Sequence, residues 1–130
     1  MAVVLNHTIV ASRDKRESAQ FMSEVLGLGA PIEYGPFVEV ESDNGVLLAF
    51  DDVAPGDEIT PQHYAFLIDE DDFDAIFARV EARKIEYFAD PGGRQRHEIN
   101  HGDGGRGFYF ADPSGHWLEV LTRPYGSASA

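Results

Sequence analysis

An internal repeat constrains this chain more than any other feature. Residues 3–10 alternate around β-forming side chains and predict a strand. Ser12 and Asp14 can cap the segment that follows, where Ala19, Met22, Val25 and Leu26 recur at helical spacing with Phe21 beside them. Gly27 and Gly29 stop that helix. Short strands are expected at 31–34, Phe37–Glu41 and 46–51, the last two joined by the hairpin signal Asp43-Asn44-Gly45. A linker over 52–61 carries Pro55, Gly56 and Pro61. The order then returns. Residues 62–68 predict a strand, and the acids of 69–72 sit where a helix N-terminus favours negative charge. Phe73, Ile76, Phe77 and Val80 form the i, i+3, i+4, i+7 stripe of a core-facing helix. Strands are expected at 85–88, Gly107–Ala111 and 116–122, with the turn Asp112-Pro113-Ser114-Gly115 between the last two; 127–130 reads as a frayed tail.

The chain is therefore β-α-β-β-β twice, with halves at about 3–52 and 62–124 inside one domain over 1–130. The fold class is α+β: two βαβββ modules in tandem, forming a cup-shaped mixed β-sheet with helices on its outer face. His7 falls on His63 with an offset of 56 (63 less 7), and Gly45 on Gly115 with an offset of 70 (115 less 45). The difference, 14 residues, belongs mostly to a loop over 91–106 that holds Arg94, Arg96, His97, His101 and Arg106. A long loop rich in functional side chains is a candidate lid, and Gly92-Gly93 and Gly104-Gly105 are candidate hinges.

Composition removes several function classes. A chain of 130 residues fits one domain with a real core. Its net charge of −13, from 23 acids and 10 bases, disfavours nucleic acid and anionic membranes, whose phosphates need clustered Lys and Arg. No apolar run approaches the roughly 20 residues of a membrane span, and no basic segment followed by an apolar one marks a signal peptide, so a cytoplasmic location is expected. With no cysteine, thiolate catalysis and thiolate metal ligation are excluded, and any metal must be held by His, Asp or Glu.

Taken alone, His7 reads as a hydrogen-bonded structural histidine between apolar neighbours. His63 at the equivalent repeat position changes that reading, because two repeat-related imidazoles face one another if the halves pack about a pseudo-twofold axis. Glu119 lies in the apolar strand Trp117-Leu118-Glu119-Val120-Leu121, where a carboxylate is costly unless paired or ligated. Two imidazoles and a carboxylate leave about three positions open on a six-coordinate ion, the arrangement of Fe(II) enzymes that also serves Mn(II) or Zn(II). The repeat equivalent of Glu119 is Ala49, so no fourth ligand is expected from that strand. His97 and His116 read as surface residues, His116 being out of phase with Glu119.

These residues bring a family into view. Leu5-Asn6-His7, Phe21 with Val25-Leu26-Gly27-Leu28, Gln62-His63, and Phe108-Tyr109-Phe110-Ala111-Asp112-Pro113-Ser114-Gly115-His116-Trp117-Leu118-Glu119 resemble the vicinal oxygen chelate superfamily over residues 3–124. That group includes glyoxalase I, methylmalonyl-CoA epimerase, extradiol dioxygenases, fosfomycin-resistance enzymes and bleomycin-binding proteins, and this chain is similar to its single-module members. The resemblance implies one divalent metal, Fe(II), Mn(II) or Zn(II), on His7, His63 and Glu119. It also implies a small substrate that chelates the ion through vicinal oxygens, and a homodimer. Glyoxalase I usually has four ligands, and Ala49 stands where the fourth would be. Ile99-x-His101 with Phe108-Tyr109, Asp112-Pro113-x-Gly115 and Glu119 resembles the extradiol signature, which implies that His101 and Tyr109 touch the substrate oxygens. Likeness to the fosfomycin-resistance enzymes implies instead that Arg94, Arg96 and Arg106 hold a phosphonate, and Trp117 would line the substrate in either case. The readings left open are a metal-dependent dioxygenase, a resistance enzyme or lyase/isomerase, and a metal-free drug-binding module.

Overall fold

The computed structural model describes residues 2–129. The described chain falls into two compact units. The first runs from the N-terminus to Thr60 and includes Asp112–Gly115; the second holds Pro61–Ala111 and His116 onward.

The first unit contains β1 (His7–Ser12), α1 (Lys15–Leu26), β2 (Ile32–Tyr34), β3 (Phe37–Glu41) and β4 (Leu47–Asp52). The sheet order is β1-β4-β3-β2, with β1 parallel to β4 and the other pairs antiparallel. Asp14 caps α1 by accepting from the backbone N–H of Arg16 and Glu17, both at 3.1 Å. Gly27, at φ 71°, ends it in the left-handed conformation that glycine tolerates. Alternation in the strands sends Val10, Val38, Val40, Leu48 and Phe50 against Ala19, Met22 and Val25 of α1, all at most 4% exposed. Burial of each large side chain contributes roughly 1.5–3 kcal/mol. The opposite face, bearing His7 and Ile9, stays open.

The second unit repeats the plan with β5 (His63–Leu67), α2 (Glu70–Ala82), β6 (Gly107–Ala111) and β7 (Trp117–Leu121) in the order β5-β7-β6. Again the pair that flanks the helix connection is parallel. Asp69 caps α2, and Phe73, Ile76 and Val80 are buried on its inner stripe. Phe73 and Phe77 meet Phe108 edge-on at 5.5 and 5.6 Å. Among the described residues the fold is thus α+β, consistent with a tandem βαβββ plan, with two α-helices and sheets of four and three strands.

Several expectations are corrected. The first strand starts at His7, not at residue 3, because its partner β4 begins only at Leu47, after the Gly45 turn. Val3, Val4 and Leu5 are left 64–104% exposed. The strand expected at 85–88 shrinks to a bridge at Phe88, which exchanges both backbone hydrogen bonds with Tyr109. The next N–H, that of Ala89, turns to Gln95 instead, because the Asp90 carboxylate folds the loop back by accepting from the N–H of Arg94 and Gln95. The end of the chain is not frayed through Ser129: Ser127–Ser129 form a 3-10 turn, and the Asp103 carboxylate accepts from the N–H of Gly126 and Ala128. His116 is 1% exposed rather than on the surface. Its phase does set it opposite Glu119, but that face is the buried one, where its Nδ1 accepts from the N–H of Gln62 at 3.0 Å.

Candidate metal centre

The second unit brings His63 and Glu119 together. Its register sets His63 opposite Trp117 and Ala65 opposite Glu119, so both side chains rise on the sheet face away from α2. The Glu119 side chain is 2% exposed and that of His63 47%. His63 Nε2 lies 3.0 Å from Glu119 Oε1, and His63 Nδ1 lies 2.9 Å from the Trp117 carbonyl oxygen. A carbonyl only accepts, so Nδ1 carries a proton. Nε2 then faces a carboxylate oxygen, a contact that calls either for a cation ligated by both atoms or for a second proton on the ring. The 3.0 Å spacing and the N/O donor set fit a divalent metal, with the Trp117 carbonyl fixing the ring as such sites require.

Tyr109 is opposite Glu119 on the neighbouring strand. Phe108 and Phe110 turn to the helix side, and Tyr109 stands with the donor pair, its ring 5.8 Å from that of His63 and stacked on Trp117 at 6.1 Å. Trp117 also packs on Phe88, and its buried indole N–H has no acceptor among the described residues. Sequence reasoning missed Tyr125. Its hydroxyl donates to Glu119 Oε2 and therefore accepts from Tyr109, 2.9 Å away. Burial first, then the Glu119 carboxylate, pushes the Tyr125 hydroxyl above its ordinary value. Burial raises Tyr109 as well, against the opposing effect of its bond to Tyr125. Both phenols stay protonated donors at neutral pH.

His7 is exposed on β1 of the first unit, its Nδ1 2.7 Å from Asn6 Oδ1. It borders a cleft of about 350 Å³ formed with Tyr34, Phe37, Glu39 and Ala49. Among the described residues no group of three or more His, Asp and Glu converges on one point. His101 is exposed before the 3-10 turn Gly102–Gly104 and makes no capping bond. Arg106 reaches α2: it binds Glu70 at 2.8 Å and Asp74 at 2.9 Å, with its guanidinium 4.1 Å over the Phe73 ring. Arg96 pairs with Glu86. Arg94 is exposed, and its backbone N–H serves Asp90. At Asn100 the 91–106 loop is tied to β6 and to Ala89: Asn100 exchanges backbone bonds with Gly107 and donates its side-chain amide to the Ala89 carbonyl at 2.8 Å.

Known proteins resemble the chain in both sequence and fold. The sequence model of the Glyoxalase/Bleomycin resistance protein/Dioxygenase superfamily matches residues 4–120. The glutathione transferase FosA of Serratia marcescens is 31% identical over 121 residues, 89% of this chain and 78% of that protein. Among solved structures, oxidase ChaP-H2 is 58% identical with a TM-score of 0.95, covering 98% of this chain and 99% of that one. Oxidase ChaP-H1 is 52% identical with a TM-score of 0.93, covering 97% and 100%.

Proposed function

The chain belongs to the glyoxalase/bleomycin resistance protein/dioxygenase superfamily, and on that premise we propose that it is a metal-dependent oxidising enzyme for a small substrate that chelates the ion through neighbouring oxygens. One observation carries the reading: an imidazole nitrogen and a buried carboxylate oxygen face each other at 3.0 Å, with the other ring nitrogen committed to a carbonyl. His63 and Glu119 are two of the ligands, and His7, exposed at the repeat-equivalent position, is the third. The ion favoured is Fe(II), with Mn(II) or Zn(II) as alternatives; bound, it supplies Lewis acidity and, as iron, redox chemistry. Tyr109 is the donor to a substrate oxygen, exchanging its bond to Tyr125 for that contact when substrate is bound. The stacked Tyr109 and Trp117 rings offer a flat wall to an aromatic substrate. His101 holds or passes a proton if the substrate draws its loop inward. The likeness to two proteins named oxidases supports oxidation.

A second reading, a fosfomycin-type transferase, draws on the 31% identity to FosA. It is weakened by Arg96 and Arg106, two of the three cations proposed for a phosphonate, which are engaged by Glu86, Glu70 and Asp74; Arg94 is the third, exposed on the same loop. The protein is taken to be a single functional domain working in the cytoplasm as a homodimer, whose interface covers exposed apolar residues such as Val4 and Leu5.

The test starts from stripped protein loaded anaerobically with Fe(II), then exposed to air with a panel of catechols. Oxygen uptake with a new product absorbance is expected, and His7→Ala should lose most of the iron and the turnover. Metal-dependent consumption of fosfomycin with glutathione, and no oxygen uptake with any catechol, would replace the oxidative reading with the transferase.

A further inference from the structure

We propose that Tyr125 is the positioning residue of Glu119, delivered to it by a C-terminal strap that Asp103 clasps. The proposal rests on the metal reading of His63 and Glu119. Glu119 has two oxygens with different partners: Oε1 faces His63 Nε2 at 3.0 Å, and Oε2 accepts the Tyr125 hydroxyl proton. A carboxylate that ligates through one oxygen needs its other oxygen held, or it rotates away from the shared point. Tyr109 completes the hold by donating to Tyr125 at 2.9 Å.

Packing does not place Tyr125. The residue is 68% exposed although its hydroxyl ends on a residue 1% exposed. What places it is the backbone on its C-terminal side. Asp103 Oδ2 accepts from the N–H of Gly126 at 3.1 Å and Oδ1 from that of Ala128 at 3.3 Å. Asp103 is itself in the left-handed region at φ 53°, a conformation that costs energy for a residue with a side chain and that its two bonds to the strap offset. The loop before β6 and the segment after β7 thus act together on one carboxylate.

The experiment uses full-length protein stripped of metal. Mn(II) affinity is measured by calorimetry, and the Co(II) form by its visible absorption, which reports ligand geometry. Tyr125→Phe should weaken Mn(II) binding about ten- to a hundredfold and shift the Co(II) bands. Asp103→Ala keeps the hydroxyl but frees the strap, and should weaken binding in the same direction by less; it also carries the test if Tyr125→Phe does not fold. Wild-type affinity and an unshifted Co(II) spectrum in these variants overturn the proposal. His63→Ala and Glu119→Gln run alongside. If they lose the metal while Tyr125→Phe does not, the positioning role alone falls; if they keep it, the metal reading falls and the positioning role with it.

Discussion

Glu119→Gln separates the ligand role of this residue from its structural one. In the metal-free protein the amide replaces the carboxylate almost atom for atom. Its oxygen can accept from Tyr125, and its NH2 can donate to the His63 Nε2 lone pair, so both existing contacts survive with better matched partners. A side chain only 2% exposed also sheds a buried charge, and removing such a charge without breaking its hydrogen bonds is neutral or stabilising. The stripped variant should melt at or above the wild-type temperature. The metal response should differ sharply. An ion that binds only the folded state stabilises it by about 2.7 kcal/mol at a hundredfold excess over Kd. For a chain of 130 residues that raises the melting temperature by roughly 10 °C. A neutral amide is a poor ligand, so Glu119→Gln should show less than about 2 °C of that rise. Differential scanning fluorimetry with and without Mn(II) reads both quantities. A rise of wild-type size in the variant would refute the assignment of Glu119 as a ligand.

Two further outcomes test the scaffold. Gly107→Ala builds a Cβ 2.9 Å from the Val120 carbonyl oxygen and 3.2 Å from Asn100 Oδ1, and since one of these is backbone the strand pair must shift; urea unfolding should show a loss of about 1–3 kcal/mol. Asp90 is held below its ordinary value of 3.8, chiefly by the Gln95 N–H. Its contribution to loop order is therefore present above that value and is lost as pH falls through the lowered one. Protection of the Arg94 and Gln95 amides from hydrogen exchange, measured against Asp90→Asn at each pH, should vanish on acidification, and protection that is equal in both proteins at neutral pH would exclude this role for Asp90.

The parts legible in the sequence are those fixed by short-range pattern. The stripe Phe73, Ile76, Val80 predicts α2 because helical spacing alone decides which side chains share a face, and these three are buried. The His63–Glu119 pairing was legible because the repeat located the histidine and the apolar strand made an isolated acid anomalous. Alternation also placed Tyr109 with Glu119 and away from Phe108. What local pattern could not give was the use made of each face. Phase sets His116 opposite Glu119 but says nothing of what covers that face, and His116 is buried. The sequence around Arg106 shows a loop cation, whereas its reach to Glu70 and Asp74 depends on α2 packing beside the start of β6. Tyr125 carried no signal: its role exists only because Asp103, far upstream in the loop before β6, folds the strap that bears it.

The registers show how a duplicated plan came to hold one acid beside a histidine rather than two. His7 pairs with Leu47 as His63 pairs with Trp117, and Glu39 with Ala49 as Tyr109 with Glu119. Every partner in β3 and β4 maps onto β6 and β7 with the same offset of 70, so these positions are equivalent residue for residue. In the second unit the carboxylate is on β7, the strand beside β5 and its histidine, and the 3.0 Å contact follows. In the first unit that position is Ala49, and the acid, Glu39, is one strand further away on β3, about 4.8 Å more across the sheet. His7 consequently has an alanine, not a carboxylate, at the β4 position equivalent to Glu119; its ring is exposed and borders the cleft lined by Phe37, Glu39 and Ala49. One unit thus contains a preformed donor pair, and the other a single imidazole beside open room.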